Sequence, residues 1–348
     1  MAPKLVDVAR LAGVAPSTVS YVLSGNRPIS PETRRRVEES IAQLGFRAHA
    51  GARSIRSQTT NVIAMVLPLL SDGPTTMQFI FSVLQAAREH DMNLLLLTAE
   101  DGVAEINNVV GSGMVDGVIV MEIQVHDPRV PVLQSMGRPA VLIGTPDNPE
   151  DLVHVDFDFA AAGAMCVQYL FDLGHRHIGY VGQSEDKYVR QAGYALRAKA
   201  GALEAMAARG LVGAFSPAEA GPAGIAQAIE DLFGQDPALS ALIVYNEQGL
   251  PLVLDRLTQL GRHVPGDMSV VTICPDDQAQ HLVPAVSDVA LPAAELGRIA
   301  FERLAELIAG QNPQHATLLE PHLNRRGSAG PPPRQAKRPQ PQRKKSGA

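Results

Sequence analysis

The segment from residue 5 to residue 23 constrains the fold most strongly, because two short apolar repeats flank a glycine. The first repeat places four residues on one face of a helix: Leu5, Val8, Ala9 and Ala12. The second repeat places three more, Val19, Val22 and Leu23, and Pro16 stands at its first helical position. Gly13 can adopt the left-handed conformation that ends one helix before the next begins. The pattern predicts a helix-turn-helix, whose second helix is able to lie in a DNA major groove.

A third helix is predicted from Pro31 to about Leu44. Ser30 precedes it as a typical N-cap, and Gly45 follows it as a typical end. The three helices form a unit of roughly 45 residues, a common size for DNA-reading domains. A helical hairpin that only supports its neighbours is the alternative interpretation of the first two helices, and the third helix argues against it.

These elements resemble the head of the LacI/GalR family of transcription regulators. The resemblance rests on Asp7-Val8-Ala9, Ala12-Gly13-Val14, Thr18-Val19-Ser20, Val22-Leu23 and Ser30-Pro31-Glu32-Thr33. It is specific through about Arg56, and a looser pattern continues to about Arg326.

The family reads DNA bases from the start of the second helix and from one turn later. The resemblance therefore assigns base contacts to Pro16, Ser17 and Tyr21, and phosphate contacts to Thr18 and Ser20. A hydroxyl can donate or accept at a base edge, and Tyr21 adds a flat apolar surface for a thymine methyl group. The alternative for Tyr21 is a surface aromatic that contacts the third helix.

The resemblance assigns a hinge to residues 47–60, which in the family folds into a helix on DNA and enters the minor groove. Ser54, Ile55 and Arg56 are predicted to contact DNA there, and Ile55 stands where the family has a leucine wedge. An apolar side chain that unstacks a base step is a known minor-groove device. An ordinary interdomain linker is the alternative.

From residue 61 onward, strands and helices alternate. Residues 62–67 form a continuous apolar run, which is typical of a buried parallel strand. The alternation predicts parallel sheets, and one long helix is predicted over 189–209. Two such units in tandem resemble the bilobed core of the family. The predicted fold is therefore an all-α helix-turn-helix domain (1–46), the hinge, and a bilobed α/β periplasmic-binding-protein-like core with two parallel sheets (61–325).

A ligand is expected between the lobes, because open α/β sheets bind ligands beyond the carboxyl ends of their strands. The candidate effector residues lie in or beside such loops: Asp72, Phe79, Arg190, Asn246, Glu247 and Asp276. Their polar groups can hydrogen-bond vicinal hydroxyls, while Phe79 can stack on a sugar face. We predict a sugar effector, with a purine or other non-sugar effector or corepressor as the alternative. The sequence leaves open whether Asp156 or Asp158 replaces an acidic position of the family.

Charge is divided unevenly along the chain. Residues 1–60 carry nine Lys and Arg against four Asp and Glu, and residues 321–348 carry eight against none, although the whole chain has a net charge of −6. A basic head on an acidic body suits a protein that meets nucleic-acid phosphate with one end. Residues 326–348 are rich in Pro, Gly, Gln, Lys and Arg, so a disordered basic tail is predicted.

Several classes of protein lack support in this sequence. It has no apolar run of membrane-spanning length, no apolar signal-peptide region and only two distant cysteines, so a cytoplasmic, nucleoid-associated protein is expected. No phosphate-binding glycine loop, nucleophile elbow or His-Glu-x-x-His motif is present, so no enzyme activity, catalytic residue, cofactor or metal is predicted. The resemblance implies a homodimer that binds a palindromic operator, with repression relieved by the effector. The alternatives are a bilobed ligand-binding protein and an α/β enzyme.

Overall fold

A computed structural model describes residues 3–24, 27–46, 59–68, 73–99 and 102–333. The predicted hinge contacts Ser54, Ile55 and Arg56 and the predicted effector contact Asp72 lie outside these ranges.

The head contains the three predicted helices, α1 (Leu5–Ala12), α2 (Pro16–Ser24) and α3 (Pro31–Leu44). Gly13 and Gly45 end α1 and α3 in the left-handed conformation, each with φ of 63°. Ser30 Oγ accepts the backbone N–H of Thr33 at 3.3 Å, which caps the start of α3. The helices enclose a small apolar core made of Val8, Ala9, Ala12, Val19, Val22, Val37 and Phe46. The predicted helix-turn-helix is confirmed.

The first lobe is built on a six-stranded parallel sheet. Its strands are β1 (Val62–Pro68), β2 (Asn93–Ala99), β3 (Gly117–Met121), β4 (Ala140–Ile143), β5 (Val153–Phe157) and β11 (Ala316–Leu319). Their order across the sheet is β11-β5-β4-β3-β1-β2. The helices of this lobe are α4 (Pro74–Glu89), α5 (Val103–Val109), α6 (Arg129–Met136) and α13 (Ala293–Ile308). β3 and β4 are buried along their whole length, as the continuous apolar runs predict.

The second lobe repeats this architecture. Its strands are β6 (His177–Val181), β7 (Val212–Ser216), β8 (Ala241–Val244), β9 (Ser269–Cys274), β10 (Ser287–Ala290) and β12 (Leu323–Asn324), in the order β12-β10-β9-β8-β6-β7. All pairs are parallel except that β12 runs antiparallel to β10. The helices are α7 (Phe159–Asp172), α8 (Glu185–Val189), α9 (Gly193–Ala208), α10 (Gly221–Gln235), α11 (Leu250–Gln259) and α12 (Asp276–Gln280).

The chain passes between the lobes after β5, after β10 and again after β11, within the described part of the core. After β10 it forms α13, which packs on α4 and on β3, β4 and β5 of the first lobe. Each lobe is therefore completed by segments that are distant in sequence, and three passages of the chain connect the lobes.

Two segments differ from the sequence-based expectation. The helix predicted over 189–209 begins only at Gly193, as α9, because Gln191 adopts a positive φ of 58° and separates it from α8, which ends at Val189. Residues 326–333 pack on the second lobe instead of starting a disordered tail. Ser328 is completely buried, with its hydroxyl donating to the Val270 carbonyl at 2.6 Å. Backbone and hydroxyl groups of β9 and β10 anchor this segment where apolar side chains are scarce. Residues 334–348 lie outside the described ranges.

Helices α7 and α9 meet backbone to backbone through two glycines. A Cβ atom at Gly163 would overlap the Ala198 carbonyl oxygen, and one at Gly201 would overlap the Ala160 carbonyl oxygen. Both positions therefore require the absence of a side chain, because the obstructing atoms belong to backbone that cannot swing aside.

We predict that Gly201→Ala lowers the free energy of unfolding by about 1–3 kcal/mol or more, since the added methyl group forces the two helices apart. Urea-induced unfolding followed by circular dichroism measures this change. Gly234→Ala is the matched control, because a Cβ there meets no atom within 4 Å in helix α10. The control should be neutral or stabilising by up to about 1 kcal/mol. Equal effects of the two substitutions would contradict the close approach of α7 and α9.

Candidate functional site

A cavity of about 150 Å³ lies between the lobes, at the carboxyl ends of strands in both sheets. One water molecule needs only about 10–15 Å³, so the cavity has room for a small organic molecule. Glu122 follows β3, Gly144 follows β4 and Asp156 lies near the end of β5 on the first lobe. Gln183 and Glu247 follow strands β6 and β8 on the second. This location is the one expected for ligands of open α/β sheets.

Aromatic rings form much of the apolar wall. Phe159 lies 5.9 Å from both Tyr194 and Tyr245, and the two tyrosines are 6.2 Å apart, measured between ring centroids. Phe79 is also part of the lining. Burial raises the pKa of Tyr194 and of Tyr245 well above the ordinary range, so their hydroxyls remain protonated. The cavity thus offers flat apolar faces together with neutral hydrogen-bonding groups.

Two ion pairs in the lining join one lobe to the other. Lys187 Nζ on α8 lies 2.8 Å from Glu122 Oε2, and both side chains are largely buried. Arg197 Nη2 on α9 lies 2.7 Å from Asp156 Oδ2, and Arg197 Nη1 donates to the Thr145 carbonyl at 3.0 Å. Burial raises the pKa of Asp156, although Arg197 lowers it. These pairs hold charged groups at the centre of the cleft and also hold the lobes together.

Hydrogen bonds around the cavity add to this closure. Val125 N–H donates to the Gln191 carbonyl at 2.9 Å, and Gly193 N–H donates to the Ile123 carbonyl at 3.0 Å. At the other side of the cleft, Gln278 Nε2 donates to Thr75 Oγ1 at 3.1 Å. The two lobes are therefore in direct contact on both sides of the cavity and close the cleft around it.

The turn after β3 carries several of these contacts and is braced from behind. Glu122 adopts a positive φ of 52°, a conformation that costs a non-glycine residue about 1–3 kcal/mol. Arg129 Nη2 donates to the Glu122 carbonyl at 3.0 Å and lies 2.6 Å from Asp127 Oδ2 in a buried ion pair. Asp127 also accepts the backbone N–H of Gln124 at 3.0 Å. This brace sets the direction in which Glu122 points toward Lys187.

Glu247 in the cavity lining is a carboxyl group with a raised pKa. Its pKa is raised to about 7, mainly by burial and in addition by the nearby charge of Glu122, while a hydrogen bond from Thr75 and the charge of Lys187 oppose the shift. Gly73 lies against it, because a Cβ there would be 3.0 Å from Glu247 Oε1. Near neutral pH the group is therefore divided between its acid and its carboxylate forms.

The structure distributes the sequence-predicted effector residues over two environments. Phe79 and Glu247 line the cavity. Asn246 lies behind it, where its Nδ2 donates to the Ala218 carbonyl at 2.9 Å and its Oδ1 accepts Gly249 N–H at 2.9 Å. Arg190 Nε pairs with Asp186 at 2.8 Å, and Asp276 pairs with Arg326. These last three side chains are not part of the described lining.

Other lining residues are absent from the sequence-based set, above all Glu122, Asp156, Lys187, Tyr194 and Arg197. Asp156 was one of two open alternatives, and the structure separates them: Asp158 instead caps α7 by accepting Ala161 N–H at 2.8 Å. Glu122 directly follows a predicted strand, which is a usable signal. Lys187 and Arg197 lie within helices, and the break at Gln191 that orients them leaves no mark in the apolar pattern.

In the head, none of the candidate DNA contacts on α2 is fully buried. Pro16 and Ser17 are exposed, whereas Thr18, Ser20 and Tyr21 are half-buried. The Arg27 guanidinium lies 5.5 Å from the centre of the Tyr21 ring, so a cation and a flat ring share this surface. The surface can meet both a base edge and a phosphate.

Within the described ranges, no cluster of His, Cys, Asp and Glu is arranged to hold a metal ion. None of the described helices is long and apolar enough to cross a membrane.

A three-helix head with an exposed second helix, followed by a closed two-lobed cleft, defines a DNA-binding protein with a ligand-binding core. The family model for bacterial regulatory proteins of the lacI family matches residues 4–48, and the periplasmic binding protein-like domain model matches residues 167–329. The chain therefore combines a lacI-family DNA-binding head with a periplasmic-binding-protein-like domain, and its relatives are LacI-family regulators. It is a DNA-binding transcriptional regulator, and its relatives are transcriptional regulators and not enzymes.

Similar proteins support this assignment along nearly the whole chain. The HTH-type transcriptional regulator CelR of Thermobifida fusca is 29% identical over 333 residues, which are 92% of this chain and 96% of that protein. The ribose operon repressor of Haemophilus influenzae is 28% identical over 327 residues, 90% of this chain and 95% of that protein. A solved transcriptional regulator CelR–cellobiose complex is 26% identical, with a TM-score of 0.68, and covers 94% of this chain and 100% of that one.

We predict that Glu247→Gln flattens the dependence of stability on pH. A carboxyl whose folded pKa is raised from 4.5 to about 7 favours the folded, closed form below pH 4.5, and this contribution is lost as the pH rises through 7. The wild-type protein should therefore lose roughly 1–3 kcal/mol from this group between pH 5 and 8. Melting temperatures across that range measure the effect. Glu204→Gln, on the exposed side of α9, is the control, and parallel profiles for all three proteins would contradict the role of Glu247.

Proposed function

We propose that this protein is a repressor that binds a palindromic operator as a homodimer and is released when a sugar occupies the cleft. The observation that carries this proposal is the cavity closed between the lobes, with its stacking rings and hydrogen-bonding groups. A solved relative is a cellobiose complex, and another relative is named for the ribose operon, which supports a sugar in this position.

The chemistry of the lining suits a hydroxyl-rich ligand. Carboxylate, guanidinium and amide groups form paired hydrogen bonds to neighbouring hydroxyls, and aromatic rings pack against the apolar face of a sugar. Phe79 and Glu247, both expected from the sequence, stand on opposite lobes of the cavity. We therefore assign them ligand contacts, together with Asp156 and Arg197. Arg190, Asn246 and Asp276 support the surrounding loops by the contacts described above, and Asp72 keeps its predicted role.

The switch follows from the inter-lobe contacts. A ligand that fits only the closed cleft shifts the population toward closure, and the resulting lobe movement changes operator affinity through the hinge at residues 47–60. Since the function requires access to the chromosome, the protein is proposed to act in the cytoplasm. The base contacts are assigned to Pro16, Ser17 and Tyr21, the phosphate contacts to Thr18 and Ser20, and the minor-groove contacts to Ser54, Ile55 and Arg56.

An exposed apolar surface on the first lobe supports the homodimer. Met77 and Phe81, one turn apart on α4, are 41% and 60% exposed, and Leu96 on edge strand β2 is 43% exposed. Large apolar side chains grouped on one lobe are typical of a surface that another protein covers. A palindromic operator requires a two-fold symmetric partner, so we assign this surface to a second copy. A monomeric chain in sedimentation equilibrium would contradict this assignment.

The effector is identified by thermal unfolding of the full-length protein with neutral sugars and nucleobases. A ligand at 100 times its dissociation constant stabilises the folded state by about 2.7 kcal/mol. We expect a sugar to raise the melting temperature and to weaken binding to operator DNA selected from a random library. Stabilisation by a nucleobase alone would replace the sugar assignment, and tighter operator binding with the ligand would make the ligand a corepressor.

Tyr21→Ala tests the DNA contacts of the head. We expect a loss of about 1–3 kcal/mol in binding to the selected operator, with unchanged binding to unrelated DNA, because the ring contacts a base and not the backbone. Tyr21→Phe keeps the flat surface and serves as the matched control. Fluorescence anisotropy at fixed salt measures both affinities. Equal losses on the two DNAs would remove Tyr21 from the base-reading residues.

A further inference from the structure

The cavity between the lobes carries more negative than positive groups. Among the described residues that line it, three bear carboxyl groups, Glu122, Asp156 and Glu247, and two bear cations, Lys187 and Arg197. This balance bears on the charge of the molecule that the cavity accepts, which neither the fold nor the similar proteins determine.

Both cations are already bound to carboxylates of the opposite lobe. Lys187 Nζ lies 2.8 Å from Glu122, and Arg197 Nη2 lies 2.7 Å from Asp156. The other terminal nitrogen of Arg197 donates to the Thr145 carbonyl at 3.0 Å. An anionic ligand would have to displace one of these carboxylates, which would leave a buried acid without its cation. Breaking a buried ion pair in this way is strongly unfavourable.

The third acid, Glu247, also disfavours an anionic ligand. Glu247 has no ion-pair partner within the part of the chain that the structure describes, and Lys187, whose charge acts on it, is bound to Glu122. Near neutral pH a partly protonated carboxyl can donate a hydrogen bond to a hydroxyl or accept one from it. In its ionised form, Glu247 repels the phosphate or carboxylate group of a ligand. The faces of Phe159, Tyr194 and Tyr245 carry negative electrostatic potential and offer an anion nothing.

We propose that this cavity selects uncharged polyhydroxyl compounds and excludes their phosphorylated and carboxylated derivatives. The inference rests on the effector site proposed above and narrows its ligand class. Specificity of this kind comes from a repulsive element as much as from attractive contacts. The repulsive element here is the excess of carboxyl groups over cations, because Glu122 and Asp156 occupy Lys187 and Arg197 and leave no cation of the described lining for Glu247 or for an anionic ligand.

The first test uses the full-length protein and matched pairs of ligands at constant ionic strength. The pairs are glucose with glucose 6-phosphate, glucose with gluconate and ribose with ribose 5-phosphate, and inorganic phosphate is added as a simple anion. We expect each anionic member to bind at least about tenfold more weakly than the neutral member that binds. Calorimetry and melting temperatures measure the binding of the anionic and the neutral member of each pair.

Anions also bind to basic surfaces of the head and of the C-terminal segment, so each signal must be assigned to a location. Lys187→Met removes a cation from the cavity alone. Anion binding that is unchanged by this substitution lies outside the cavity and supports the inference. The inference would be overturned if an anion bound more tightly than its neutral partner and lost that binding in Lys187→Met. This result would leave the proposal of a sugar-responsive regulator standing.

The second test does not depend on knowing the effector. Glu122→Gln removes the acid that occupies Lys187, so the variant should gain at least about tenfold in affinity for inorganic phosphate or glucose 6-phosphate. Glu204→Gln is the matched control, since it removes one exposed carboxylate from α9. If Glu122→Gln does not fold, Asp156→Asn frees Arg197 and serves the same purpose. A folded variant that does not gain affinity for the anion would overturn the inference, whether or not a neutral sugar binds. The absence of binding by any neutral sugar would instead count against the proposed sugar effector.

Discussion

The pairing of acids and cations across the cleft is the constraint on which the core depends. Lys187 with Glu122 and Arg197 with Asp156 each contribute one partner from each lobe. Buried ion pairs of this type are weak sources of overall stability, because desolvation offsets much of their attraction. Their main effect is to fix the relative position of the lobes, since each ion pair can form only when the lobes are closed. The same groups therefore shape the cavity, fix its charge and report on the position of the two lobes.

Local signals in the sequence were sufficient for the head and for the class of the core. Pro16, Ser30, Gly13 and Gly45 act within one helical turn, so the starts of α2 and α3 and the ends of α1 and α3 follow from neighbouring residues alone. Strands β1, β3 and β4 are continuous apolar runs that need no knowledge of tertiary structure to be recognised. The packed segment at 326–333 escaped the same approach, because hydroxyl and backbone hydrogen bonds hold it in place of apolar side chains.

Only some of the residues that line the cavity could be predicted from the sequence. Glu247 lies in the loop after β8 and Phe79 lies on α4, the helix that follows β1, so the order of the elements places both near the carboxyl edge of a sheet. Lys187 and Arg197 lie on separate helices whose relative direction is set at Gln191, a residue with positive φ that composition does not reveal. Arg190 was the more conspicuous candidate, but its guanidinium pairs with Asp186 one turn earlier. Which of several cations enters a cleft depends on how two lobes meet, and that information is not local.

The repeated passage of the chain between lobes has a consequence for the order in which the molecule forms. Strand β11 is the outer neighbour of β5, at a separation of more than 150 residues, and α13 covers β3, β4 and β5. During synthesis the first lobe emerges first, yet its sheet and its helical layer remain incomplete until almost the last residues of the core have left the ribosome. The second lobe has most of its strands before then. The first lobe is thus the one whose apolar surface stays uncovered longest in the growing chain.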